Sequence, residues 1–122
     1  KNSETRVSIN NTNIKTGLKI IKTDENGKLL EGIKFTLKNS VVGFVTASGS
    51  NGRYTYTDLA DTVTEFITDE RGEIFVSGLL WGTYYLSETN APKGIVGIKD
   101  QIVKVDAENH NKTIELKLEN RS

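Results

Sequence analysis

The sequence predicts an all-β domain, built as an antiparallel sandwich or barrel, and three observations carry the prediction. Thr, Val and Ile supply 34 of the 122 residues, and β-branched side chains suit a pleated, half-buried surface. Apolar and polar residues alternate in short runs that end in turn residues. No segment beyond about ten residues keeps a helical period. Thr57–Phe66 is the one helix-like stretch, and Thr62-Val63-Thr64 weakens it.

The expected strands, in order, are Arg6–Asn11, Leu18–Thr23, Ile33–Lys38, Val41–Thr46, Arg53–Thr57, Glu65–Thr68, Glu73–Val76, Thr83–Glu88, Gln101–Val105 and Thr113–Asn120. Asn26-Gly27 and Asn51-Gly52 accept the positive φ of a tight hairpin. Thr23-Asp24-Glu25-Asn26-Gly27 is echoed by Thr68-Asp69-Glu70-Arg71-Gly72, and both read as strand ends closing into turns. An EF-hand reading of the first fails, because the later oxygen ligands and the terminal Glu are missing. The alternation Val7, Ile9, Asn11 returns as Leu116, Leu118, Asn120, which suits either a tandem array or a chance likeness. Residues 1–16 are therefore expected to be a linker or the last strand of a preceding module. Residues 17–122 are expected to form the domain, with an inserted loop or hairpin near 47–64.

Composition narrows the function. Lys plus Arg equals Asp plus Glu at 16 each, which argues against nucleic acid as the main partner and against a polybasic membrane patch. There is no Cys, so thiol chemistry and thiolate metal sites are excluded. The single His, His110, rules out a multi-histidine zinc site. No apolar run approaches the roughly 20 residues of a membrane span. The polar opening from Lys1 reads as a mature or excised piece, and no cofactor is expected.

Residues two apart on a strand share a face. Leu18 and Ile20 thus share a face with Lys22, Tyr84 and Leu86 with Glu88, and Ile114, Leu116 and Leu118 with Asn120. Three apolar alternations end in an inward Lys, Glu and Asn. Each side chain can snorkel to water at the rim of the core. The Lys and Glu can also form a buried salt bridge, which often fails to recover its desolvation cost. The third reading is chemical: a desolvated lysine loses its proton more easily and becomes a nucleophile beside an amide carbonyl, with a carboxyl to shuttle protons.

Gly17-Leu18-Lys19-Ile20-Ile21-Lys22-Thr23-Asp24 resembles the opening strand of the B-type repeat of collagen adhesin (CnaB), also called the SpaA-like pilin domain. Residues 79–94, LLWGTYYLSETNAPKG, resemble its E-box, although Ile95 stands where a Tyr is usual. Leu116-Lys117-Leu118-Glu119-Asn120 is similar to its closing strand. The resemblance implies an immunoglobulin-like β-sandwich from an extracellular, cell-wall-attached protein of Gram-positive bacteria, a pilin or adhesin whose partners are neighbouring domains of the same protein or pilus. It also implies an intramolecular isopeptide bond between Lys22 and Asn120, promoted by Glu88 as the catalytic carboxyl. Such a module is not an enzyme in the multiple-turnover sense. No sortase sorting signal is visible, so the anchor is expected outside this chain.

The alternative function is recognition of a host protein or glycan. Its candidate contacts are Tyr54, Tyr56 and Trp81, read as exposed, with the 47–64 loop; Trp81 also reads as a cap on the sandwich. A hydrolase pairing Glu88 with Asp24 or Asp69 has little support, because turns explain both aspartates. Asn109 and Asn111 rival Asn120 by residue type but lie in a polar turn.

Overall fold

The computed structural model describes residues 15–59, 61–90 and 100–119. Within them lie ten strands: β1 (Thr16–Thr23), β2 (Lys34–Asn39), β3 (Gly43–Phe44), β4 (Ala47–Ser50), β5 (Arg53–Tyr56), β6 (Glu65–Ile67), β7 (Glu73–Leu79), β8 (Gly82–Asn90), β9 (Gln101–Val105) and β10 (Thr113–Glu119). One sheet runs in the order β10-β1-β7-β5-β4. The other runs β3-β2-β8-β9, with β6 also paired to β2. Among the described residues the only helical turn is a 3-10 turn, Ala107–Asn109.

Alternation builds the core between the sheets. Leu18 and Ile20 of β1, Ile74 and Val76 of β7, Phe35 and Leu37 of β2, Tyr84 and Leu86 of β8, and Val103 and Val105 of β9 are all buried. Their neighbours in sequence turn outward, as a period of two requires. Each such Leu, Ile or Phe contributes roughly 1.5–3 kcal/mol relative to exposure. On β7 the phase slips at Gly78, where φ is +80°, so that Leu79, which shares the outward parity of Phe75 and Ser77, turns into the core in place of position 78. The β1–β7 register shifts at the same place, between Thr16 and Leu18.

Among the described residues six of the eight strand pairings are antiparallel; β1–β10 and β5–β7 are parallel. The parallel pair β1–β10 makes the first and last described strands neighbours, with Lys22 in register with Leu118.

Two sequence expectations are corrected, and one strand is added within the region expected to hold a loop or hairpin. Val41–Thr46 is not one strand: only Gly43–Phe44 pairs with β2. The buried Asn39 side chain turns the chain first, its Oδ1 accepting from the Val41 and Val42 N–H groups at 2.8 and 3.1 Å, and both valines are left exposed. Strand β4 has no apolar alternation to announce it. It exists as the arm of a hairpin closed by Asn51-Gly52, with φ of +52° and +80°. The helix-like segment instead holds Val63, bridged to Ala47, and strand β6, which buries Phe66. The expected strand Arg6–Asn11 lies outside the described residues.

Candidate functional site

Lys22 continues the inward face of β1 after Leu18 and Ile20, and its side chain is 0% exposed. Its Nζ donates to the Leu118 carbonyl at 3.4 Å. That is long for N–H···O, where 2.7–3.2 Å is usual, so the bond compensates little of the lost hydration. Burial accordingly lowers the Lys22 pKa from its ordinary 10.5, while the negative charges of Glu88 and Glu119 act in the opposite direction.

Glu88 approaches from the other sheet. It follows Tyr84 and Leu86 along the inner face of β8, is half-buried, and is in register with the fully buried Phe35 of β2. The chain sets β8 firmly. The buried Tyr84 hydroxyl donates to the Leu80 carbonyl at 2.6 Å, and Tyr84 also hydrogen-bonds the Asn39 side chain. Gly82 is glycine because a Cβ there would stand 2.5 Å from Asn39 Nδ2. The structure thus leaves the buried Lys22 amine within the electrostatic field of Glu88. Asn120, two residues past Leu118 in sequence, lies outside the described residues.

The other candidates fall elsewhere. Asp24 Oδ1 accepts from the Asn26 and Lys28 N–H groups at 2.8 and 2.9 Å. Asp69 Oδ1 accepts from Arg71 and Glu73 at 2.9 and 3.0 Å. Each therefore has an oxygen engaged in closing its own loop. His110 follows the 3-10 turn, and its Nδ1 accepts from the Lys15 N–H at 3.2 Å.

The expected exposure of Tyr54 is corrected: it is 4% exposed. Strand β5 aims it inward, its ring packs 4.9 Å from Phe66, and its hydroxyl accepts from the Ile67 N–H at 3.0 Å. Tyr56 is partly buried and packs against the same core, whereas Trp81 is 46% exposed. Tyr54 also borders a groove of about 660 Å³ between the β4–β5 hairpin and the β6–β7 segment, lined among others by Arg53, Val63, Glu65, Ile67 and Arg71.

Sequence reasoning missed Asn39 and Gly72. Asn39 shares the parity of Phe35 and Leu37, a signal of the same kind as that of Lys22. Gly72 was visible only as one member of the repeated turn.

With this geometry in view, comparison with known proteins places the chain. Residues 16–122 match the SpaA family, described as a prealbumin-like fold domain, and the chain belongs to that family. No curated protein matches it significantly. Among solved structures it is similar to GBS52, the minor pilin of Streptococcus agalactiae, with a TM-score of 0.73 and 24% identity over 89% of this chain and 45% of that one. A streptococcal ancillary pilin gives 0.71 and 29%, over 88% of this chain and 32% of that one. The shaft pilin SpaA of Lactobacillus rhamnosus GG gives 0.67 and 25%, over 88% and 47%. The chain thus spans less than half the length of these pilins, which share its two-sheet, all-β fold.

Proposed function

We propose that the chain is an extracellular, load-bearing module of a bacterial pilus or related surface protein, and that an amide between Lys22 and Asn120 welds it. Its partners are the neighbouring domains of that protein or pilus. The observation that carries the reading is the fully buried amine of Lys22, whose one hydrogen bond among the described residues is long and which lies within the field of Glu88. Burial of a lysine in such a place often fails to recover its desolvation cost, which favours a chemical over a stabilising role.

The chemistry needs only these groups. Lys22 Nζ gives up a proton and attacks Cγ of Asn120. The new C–N bond forms, the C–NH2 bond breaks, and the Glu88 carboxyl carries the proton from Nζ to the departing nitrogen, which leaves as ammonia. The turnover happens once per molecule.

The topology explains the use. A force entering at Thr16 would run along β1 to Lys22, cross to Asn120 and leave, bypassing residues 23–119. The link also closes a loop of 98 residues, from Lys22 to Asn120. By analogy with a disulfide this removes roughly 4–5 kcal/mol of unfolded-state entropy. That is a large share of a typical ~5–15 kcal/mol of stability. Intact mass spectrometry of the denatured chain tests the reading. A mass lighter by one ammonia is expected, and Glu88→Ala should restore the full mass. A wild-type chain at full mass overturns it.

A second reading, recognition of an extracellular protein or glycan, is favoured by a different surface from the one expected. Phe44, Lys38, Tyr85 and Ile102 are in register across β3, β2, β8 and β9. Phe44, Tyr85 and Ile102 are exposed, and Lys38 Nζ lies 5.5 Å from the Phe44 ring centre. Exposed apolar rows of this kind mark contact surfaces. Saturable binding to a matrix-protein or glycan panel, lost in Tyr85→Ser and Phe44→Ala, would establish recognition by this row; unaltered binding in both variants would remove these residues from it.

A further inference from the structure

Lys22 is held by its main chain as well as by its tip. Its N–H donates to the Gly72 carbonyl at 2.8 Å, and its own carbonyl accepts from the Leu30 N–H at 3.0 Å. The β1–β7 ladder ends with Ile21 opposite Glu73. The loop Asp69–Gly72 therefore prolongs that ladder by one step, to Lys22.

Four hydrogen bonds close this loop. Two are the Asp69 carboxylate contacts to Arg71 and Glu73. The others run from the Asp69 N–H to the Glu73 carbonyl at 3.0 Å and from the Gly72 N–H to the Asp69 carbonyl at 2.9 Å. The loop that follows β1 repeats the pattern. Asp24 takes the Asn26 and Lys28 N–H groups on its carboxylate, its own N–H donates to Lys28 at 2.9 Å, and the Gly27 N–H returns to Asp24 at 3.1 Å. Gly27 and Gly72 both have positive φ, +83° and +70°.

The twins differ at one point. A Cβ on Gly27 would meet nothing within 4 Å. A Cβ on Gly72 would stand 2.7 Å from the Lys22 carbonyl oxygen and 3.1 Å from the Leu30 nitrogen. Both contacts are with backbone, which cannot swing aside as a side chain does. Only the second loop is pressed against the lysine.

We infer that Asp69 and Gly72 are positioning residues for Lys22: the carboxylate shapes the loop, and the glycine brings its carbonyl close enough to fix the depth at which the amine sits. The inference rests on the cross-link proposed above. Amide formation needs a near-attack geometry, and a displacement on the order of an ångström costs on the order of a hundredfold in rate.

The test follows cross-linking during cell-free synthesis of the full chain, by intact mass against time, with folding checked by circular dichroism. Gly27→Ala bears the same positive-φ penalty without touching Lys22, and should link at close to the wild-type rate. Gly72→Ala should link on the order of tenfold to a hundredfold more slowly. Asp69→Ala should also be slow, and Asp69→Asn, which keeps the Oδ1 acceptor, should recover most of the rate. Equal rates for the two glycine variants, or wild-type speed in Asp69→Ala, overturn the positioning role. If Gly72→Ala does not fold, the Asp69 pair decides. A wild-type chain that keeps its full mass removes the cross-link itself, and the positioning role with it.

Discussion

The amine nitrogen of Lys22 ends 3.4 Å from the main-chain carbonyl of Leu118, the residue opposite it in register on the parallel strand β10. Among the described residues this long hydrogen bond is the one its fully buried amine makes, and the charges of Glu88 and Glu119 act on it. Such a site is costly for a charged amine, and the proposed amide would remove that cost.

Two unlinked variants should separate the cross-link from the burial penalty. Asn120→Ala keeps the buried amine; Lys22→Met replaces it with an apolar chain of similar length. Both should show the full, uncondensed mass and lose stability, by roughly 4–5 kcal/mol for the missing constraint. Lys22→Met should be the more stable of the two, because it buries no charge. Urea unfolding monitored by circular dichroism measures the difference.

The pH dependence of Asn120→Ala follows from the direction of the Lys22 shift. Burial puts the folded-state pKa below the unfolded-state value of 10.5. Between the two, the unfolded chain binds the extra proton, so stability rises with pH across that window and carries its full penalty below it. Lys22→Met should lack this rise. Parallel slopes for the two variants in urea titrations at successive pH values would contradict the shift.

Phe35 is fully buried in the core and in register with Glu88. Phe35→Ala should cost about 3–5 kcal/mol through lost transfer energy and a residual cavity. In the Glu88→Ala background, where no bond supports the fold, this loss should bring the domain close to unfolding at ambient temperature, read as a sharply lowered urea midpoint.

Tyr54→Phe removes the hydroxyl that accepts the Ile67 N–H but leaves the packing against Phe66. A loss of about 1 kcal/mol is expected, the usual net worth of one hydrogen bond. Thermal unfolding of the two proteins side by side reads it.

Much of this was legible in the chain. Period-two alternation located most strands and put Lys22 and Glu88 on inward faces, because the parity of a strand is a local property. The repeated Thr-Asp-Glu-x-Gly announced two turns with the same hydrogen bonds, because an Asx turn is closed by residues within five positions. Parity did not reveal that Tyr54 is core: its strand is too short to show an alternation, and its burial depends on Phe66 from another sheet. Nor did it reveal β4, whose Ala-Ser-Gly-Ser carries no pattern and whose existence depends on its partner β5.

The amino-acid sequence by itself determined an all-β chain whose inward faces end in an amine and an acid, and it carried the family motifs. Only the tertiary structure decided that β1 and β10 lie side by side in parallel, and that a glycine fifty residues from Lys22 in sequence presses on its backbone. The physical reason is range. Side-chain parity and turn closure are set by neighbours along the chain, whereas burial, desolvation and close approach are set by whatever the packing brings in from elsewhere.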